Sequence, residues 1–204
     1  LKEALEKSGH PFAIKDGDGA FYGPKIDVEI SDALQRYYQL GTIQLDFQLP
    51  DRFGLKFTNK KGEEERPVVI HRALLGSLER FFGIYLEHTG GAYPFWLSPT
   101  QVTIVPINNE NHLEYCQKVA KDLTNEGIRV HIDDRNESMG FKTRQIQKSK
   151  TPFMMVFGDK EIEEKTVSLR AYGQKGSQKL TLKEAFEKFK TLDEEKTPKE
   201  LRES

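Results

Sequence analysis

The spacing of hydrophobic and polar positions changes period several times along the chain, and each change predicts an element. Leu1, Ala4 and Leu5 share one face of a helical repeat that Gly9 ends, so the first eight residues read as a helix. From Tyr22 to Ile30 large apolar and polar residues alternate, which is the period of a half-buried strand. Gly17 and Gly19 before it, and Ser31 and Asp32 after it, are turn formers. Residues 41–49 alternate in the same way and predict a second strand, with Thr42, Gln44, Asp46 and Gln48 on a single polar face. Residues 60–66 are almost all charged and read as a hairpin tip, residues 67–72 as a third strand, and residues 74–87 as a helix with Leu78, Phe81, Phe82 and Tyr85 on one side. Leu97-Ser98-Pro99 reads as a hinge.

Beyond that point strands and helices take turns. Residues 102–107, 128–132, 153–158 and 166–170 are short apolar strands; residues 111–127, 140–150 and 182–189 are amphipathic helices, the first with Tyr115, Val119 and Leu123 in register. Such alternation predicts an α/β unit with a mostly parallel sheet over residues 98–204, after a β-rich unit over residues 1–97. The charged tail from Asp193 is expected to fray.

Composition narrows the function classes. The 31 basic and 32 acidic residues leave a formal net charge of -1, so no global field draws in a polyanion, and any RNA contact needs a local basic patch. Cys116 is the single cysteine, which excludes an internal disulfide and fits a reducing compartment. No apolar run approaches the roughly 18 residues of a membrane span and no secretory leader is visible, so a soluble cytoplasmic protein without a membrane partner is expected. Leu1 opens inside a helical pattern without an initiator Met, and the chain reads as a piece of a longer protein.

Four places could carry chemistry. Gly76 and Ser77 stand where free backbone N–H groups at a helix start favour anions, and Arg80 one turn on could lie against a phosphate or a nucleobase; an ordinary solvated Glu79–Arg80 pair fits the same spacing. His71 lies on a strand beside Val69 and Ile70, and spacing alone favours a hydrogen-bonded structural histidine over a metal ligand, because zinc needs three or four ligands and no second group sits at ligand spacing. Gln39, Thr42 and Gln44, with Tyr22 and Lys25, form an uncharged polar sheet face beside one lysine, suited to a small polar substrate or simply to solvent. Lys142, Arg144, Lys148 and Lys150 make the one unbalanced basic helix; with Asn136 and Arg170 nearby it suits a phosphate backbone, or is a solvated face.

Several of these stretches together resemble the threonyl-tRNA synthetase family. The segment Gly17-Asp18-Gly19-Ala20-Phe21-Tyr22-Gly23-Pro24-Lys25-Ile26-Asp27, the segment Gly41-Thr42-Ile43-Gln44-Leu45-Asp46-Phe47, and His71-Arg72-Ala73-Leu74-Leu75-Gly76-Ser77-Leu78-Glu79-Arg80-Phe81 carry the threonyl form of the resemblance. Asp134-Arg135-Asn136-Glu137, Gly140-Phe141-Lys142 and Gly158-Asp159-Lys160-Glu161 are similar to the anticodon domain that threonyl, prolyl, histidyl and glycyl enzymes share. The resemblance implies the end of a class II antiparallel-sheet catalytic domain (residues 1–97) followed by an α/β anticodon-binding domain (residues 98–204). It implies ATP with Mg, threonine and tRNA-Thr as partners, and a homodimeric parent enzyme. It implies that Lys25 and Arg80 are catalytic, with Gln39, Thr42, Ser77 and Arg80 at ATP and the adenylate, and Tyr22 and Gln44 facing threonine. His71 would be one zinc ligand, and Asn136, Arg144, Glu161 and Arg170 would read anticodon bases. The first two class II motifs, the remaining zinc ligands and an editing domain have no counterpart in these residues, so the chain alone is expected neither to activate threonine nor to hold zinc tightly. A prolyl- or histidyl-type relative, and a noncatalytic RNA-binding protein that kept the anticodon domain, are the alternatives.

Overall fold

The computed structural model describes residues 1–196, which divide into two units, residues 1–88 and the residues from Thr89 onward. The division precedes the boundary at residue 97 expected from the Leu97-Ser98-Pro99 pattern. Its cause is Phe95, which is 1% exposed and stacks on Phe189 of the second unit with ring centroids 5.5 Å apart. The tripeptide is tied into the second unit. Ser98 is buried, its Oγ donates to the Pro94 carbonyl at 3.0 Å, and Arg129 Nε donates to the Ser98 carbonyl at 3.0 Å.

The first unit runs α1 (Lys2–Ser8), β1 (Lys25–Ser31), β2 (Tyr37–Asp46), α2 (Gln48–Arg52), β3 (Phe57–Thr58), β4 (Glu64–Glu65), β5 (Val69–Ala73) and α3 (Leu78–Thr89). β1, β2 and β5 form an antiparallel sheet in that order, and β3 and β4 form the charged hairpin. Gly9 ends α1 at φ 71°, as its position in the sequence requires. β2 stops at Asp46 rather than Leu49, because the Asp46 carboxylate accepts the N–H groups of Gln48 and Leu49, both at 2.9 Å, and turns the chain into α2. α3 begins at Leu78, four residues later than expected. Gly76 holds φ +62° directly against Leu40, where an added Cβ would lie 2.7 Å from the Leu40 carbonyl oxygen, and a left-handed residue interrupts any helix. Leu40 and Pro50 are the only buried apolar residues of this unit's described chain other than Gly41.

The second unit runs β6 (Val102–Pro106), α4 (Asn109–Asn125), β7 (Val130–Ile132), α5 (Met139–Lys148), β8 (Phe153–Phe157), α6 (Asp159–Glu163), β9 (Thr166–Ala171), β10 (Gln178–Thr181) and α7 (Leu182–Glu195). Strand order is β10-β9-β8-β6-β7. The β7-β6-β8 half is parallel and the β8-β9-β10 half antiparallel, so the sheet is mixed where a mostly parallel one was expected. The residues between β8 and β9 are too few for the crossover of about a dozen that a parallel return needs. The apolar strands are buried on both faces. Val102, Ile104, Met155 and Leu169 meet Cys116, Leu123 and Phe189 on one side, while Val105 and Met154 meet Ile146 on the other. α7 continues to Glu195 instead of fraying from Asp193, since Leu192 is buried and Gln101, itself buried, donates to Asp193 Oδ1 at 2.9 Å. The remainder of the tail expected to fray, residues 197–204, lies outside the described residues.

Candidate functional site

In the first unit, strand register assembles the expected polar face. Lys25 pairs with Gln44, and Gln44 with His71, so these three form one cross-strand row over β1, β2 and β5. Asp27, Thr42 and Ala73 form the next row. Alternation puts both rows on the same face. Tyr22 joins the row from a loop: its hydroxyl donates to Gln44 Oε1, and its ring lies 5.7 Å from that of His71. Gly23 permits that approach, because a Cβ there would lie 2.0 Å from the Leu45 carbonyl oxygen.

Asp27, absent from the site expected from the sequence, is the centre of the network. Its Oδ1 accepts from Gln39 Nε2 at 2.6 Å and from Thr42 Oγ1 at 2.7 Å, and its Oδ2 lies 2.8 Å from Lys25 Nζ. Gln44 Nε2 donates to Thr42 Oγ1 at 3.2 Å, which links the rows. Burial pushes the Asp27 carboxyl up, but the hydrogen bonds from Lys25 and Thr42 together outweigh it and hold the group below the usual carboxylate range. The Asp27 hydrogen bond in turn raises the Lys25 ammonium above its usual value. Alternation already placed Asp27 beside Lys25 on one face; which donors it collects depends on the register, including the bulge at Val28–Glu29 that brings Gln39 alongside.

Arg80 and Ser77 sit at the start of α3. Ser77 Oγ accepts the Arg80 N–H at 3.3 Å and donates to Glu79 at 2.8 Å, and Arg80 reaches back to the Gln39 carbonyl at 3.3 Å. Glu79 and Arg80 therefore do not pair with each other in these contacts, and the guanidinium stands at the Gln39 end of the polar face. His71 Nε2 lies 2.9 Å from Asp46 Oδ2, and the Asp46 side chain is 1% exposed. Burial raises the Asp46 carboxyl, but the N–H groups of Leu49 and Gln48 and the His71 ring outweigh it, and the group stays below the usual range. An ionised Asp46 only accepts, so the His71 ring donates to it from Nε2. Among the described residues no three His, Cys, Asp or Glu side chains gather to hold a metal ion.

In the second unit Asn136 follows β7 and Glu161 opens the second half of α6 after β8, both beyond the C-terminal ends of the parallel strands. There the chain passes from β6 to β7 on one side and from β7 to β8 on the other, which makes the end of β6 the topological switch point where open α/β sheets bind ligands. Glu161 Oε2 accepts the Gly158 N–H at 3.0 Å. Arg144 is exposed on α5. Arg170 pairs with Met154, near the opposite end of β8, and its Nε donates to the Gln174 carbonyl at 3.1 Å. Lys142 leaves the expected basic patch: it is 3% exposed, and its Nζ donates to the Asp133 carbonyl at 3.0 Å. Asp133 is buried at the end of β7, and the Arg135 guanidinium holds its carboxyl below the usual range despite that burial. A cavity of about 680 Å³ runs beside α5, lined among others by Thr103, His131, Asp133, Arg135, Gln145 and Lys150; none of the four expected base readers lines it.

Comparison with known proteins gives the two units their relatives. A family profile for the class II tRNA synthetase core domain (G, H, P, S and T) matches residues 2–89, and one for the anticodon binding domain matches residues 101–192. A threonine–tRNA ligase of Carboxydothermus hydrogenoformans is 52% identical over 85% of this chain and 27% of its own length. Threonine–tRNA ligase 2 of Bacillus subtilis is 50% identical over 93% of this chain and 29% of its own. The chain thus spans less than a third of these curated relatives. A solved structure described as the RNA binding domain of threonyl-tRNA synthetase from Cryptosporidium parvum Iowa II superposes with a TM-score of 0.86 at 44% identity, over 94% of this chain and 48% of that one. The chain belongs to the threonyl-tRNA synthetase family, and carries the C-terminal portion in which the class II core is followed by the anticodon-binding domain.

Proposed function

We propose that this chain is part of a cytoplasmic, homodimeric threonine–tRNA ligase. Its first unit closes the catalytic domain and its second reads the anticodon of tRNA-Thr. The reaction joins the threonine carboxylate to the α-phosphate of Mg-bound ATP with loss of pyrophosphate, then passes the threonyl group to a ribose hydroxyl at the 3′ end of the tRNA with release of AMP. The observation that carries this reading is the cross-strand row of Lys25, Gln44 and His71 with Tyr22 above it, in a chain about half identical to threonine–tRNA ligases.

In this reading negative charge that builds on the α-phosphate is met by the Lys25 ammonium and the Arg80 guanidinium, and Arg80 also lies along ATP. Gln39, Thr42 and Ser77 line the adenylate. Tyr22 and Gln44 face threonine, already locked to each other by a hydrogen bond, so they are set before substrate arrives. His71 fits as one zinc ligand, since Asp46 holds Nε2 and leaves Nδ1 to donate, but the other ligands are not among the described residues. When bound, zinc would take both the amine and the hydroxyl of threonine, which valine lacks the hydroxyl to match. Asn136, Arg144, Glu161 and Arg170 contact anticodon bases, whose splayed edges offer both donors and acceptors.

Binding of the chain to tRNA-Thr and to an anticodon-altered tRNA-Thr in matched salt tests the second half of this reading. A clear preference for the native anticodon is expected. Equal binding that vanishes as salt rises would leave only a basic surface acting on phosphates and would defeat the roles of Asn136, Glu161 and Arg170. A pyrophosphate exchange assay tests whether the chain acts alone: no appreciable turnover is expected, and robust turnover would overturn that expectation.

A further inference from the structure

The switch point of the five-stranded sheet is braced by a buried histidine. His112 stands on the first turn of α4, 4% exposed, and its ring joins two loops. The Asn108 N–H donates to Nδ1 at 3.1 Å, so the ring proton sits on Nε2, 3.0 Å from Asp159 Oδ1. Asn108 is the residue that leaves the β6 end and caps α4, its side chain accepting the N–H groups of Glu110 and Asn111. Asp159 is the first residue of α6, directly after β8 and Gly158. The ring therefore spans the C-terminal ends of β6 and β8.

The dependence runs from the loop to the ring. Asp159 is 82% exposed at its side chain and would find water without His112, whereas a buried imidazole needs a partner for each nitrogen. Only this placement of α6 supplies the second one. The same segment is pinned from its other side. Glu161 Oε2 holds the Gly158 N–H, and Ile107 packs so near that a Cβ on Gly158 would lie 2.7 Å from Ile107 Cδ1. With Oε2 so engaged, Oε1 of Glu161 is the oxygen left to accept from a base.

We propose that His112 is a positioning residue for base recognition: it fixes α6 against the β6–α4 turn and so presents Glu161 in one preset place to a base edge that offers N–H donors. The proposal rests on the anticodon reading above. It makes His112 and Asp159, neither of which touches RNA in this scheme, determinants of base discrimination and not merely of stability.

The test uses the full chain, with stem-loops that carry either the native tRNA-Thr anticodon or one altered base, at matched salt, alongside thermal unfolding. His112→Leu keeps an apolar side chain in the core and removes both hydrogen bonds. His112→Gln keeps one acceptor and one donor. Asp159→Ala cuts the link at an exposed position and removes no buried side chain, though it leaves the His112 Nε2–H without this partner. The native-over-altered affinity ratio is expected to fall about tenfold in His112→Leu and in Asp159→Ala, the scale of one hydrogen bond to a charged group. It should recover in His112→Gln, and the double variant should be no worse than either single change. A ratio unchanged in folded His112→Leu, or a proportional weakening of both RNAs, would reduce His112 to a structural residue and overturn the proposal. Should His112→Leu fail to fold, Asp159→Ala decides alone. A wild-type chain without any preference would defeat the anticodon reading and this inference with it; a preference that survives Asp159→Ala defeats the inference only.

Discussion

At the scale of single residues, the polar face of the first unit is legible because strand alternation is legible: Lys25, Thr42 and Gln44 fall together once β1 and β2 are drawn, while Tyr22 reaches them from a loop. What the sequence hid is the group that organises them. Asp27 is one of 32 acidic residues, and nothing local marks it until the register brings Gln39, Thr42 and Lys25 to its two oxygens. Lys142 failed in the opposite sense. It was read as a surface charge from the composition of its helix, but the helix turns it inward to the Asp133 carbonyl. The lowered Asp27 carboxyl has a consequence for pH. Because its folded value lies below the unfolded one, the stability it lends the β1–β2 pairing is present above about pH 4 and is lost as pH falls through the lowered native value. A titration followed on the Asp27 carboxyl carbon should find its midpoint below the ordinary aspartate value, with the Thr42 and Gln39 signals moving in step. In Asp27→Asn that acid response should disappear from Thr42 and Gln39, and the Lys25 ammonium should fall back toward its usual value. A midpoint at the ordinary value would mean that the Lys25 contact does not persist in solution.

At the scale of elements, the long periodic segments were found and the short ones were missed. α4, with His112, Cys116, Val119 and Leu123 buried at spacings of a helical stripe, is unmistakable in sequence. α2, α6 and β10 are shorter than the window in which a period can be recognised, and α2 and α6 exist because particular side chains turn the chain: Asp46 at one, Glu161 at the other. The direction of β9 was also readable from the brevity of the segment before it, a constraint that strand-by-strand reading does not use. α7 offers the clearest test of a local signal. Thr181 Oγ1 accepts the Glu184 N–H at 3.2 Å and Glu184 Oε2 accepts the Thr181 N–H at 2.8 Å, a reciprocal cap on a helix whose Ala185, Phe189 and Leu192 enter the main core. Thr181→Ala should lower the unfolding free energy of the second unit by about 1 kcal/mol, seen as an earlier urea midpoint with an unchanged slope. No shift in midpoint would mean that packing of α7 alone sets its start.

At the scale of the whole molecule, the two units differ in how much of a core they own. The second buries Val102, Ile104, Leu123, Met155, Phe157 and Phe189 on one face of its sheet and Val105, Ile146 and Met154 on the other. In the first, three strands carry the polar row, β1 and β5 are edges, and Ile70, Leu74 and Leu78 are each more than 60% exposed. Alternation in β1 and β2 announced half-buried strands, but a period states only that a strand has an apolar side; how many strands lie beside it and what covers that side are not local properties. Two unpaired edges beside exposed apolar residues are the features that make a sheet open or associate. Hydrogen exchange should therefore separate the units: amides of β1, β2 and β5 should exchange roughly a hundredfold or more faster than those of β6, β8 and β9, because local opening of a thinly packed sheet needs far less free energy than opening a core. Light scattering on the same samples should show concentration-dependent association that residues 89–204, expressed alone, do not share. Uniform protection across both units, with a monomer at every concentration, would mean that the cross-strand network around Asp27 stabilises the first sheet without the apolar cover its exposed side chains call for.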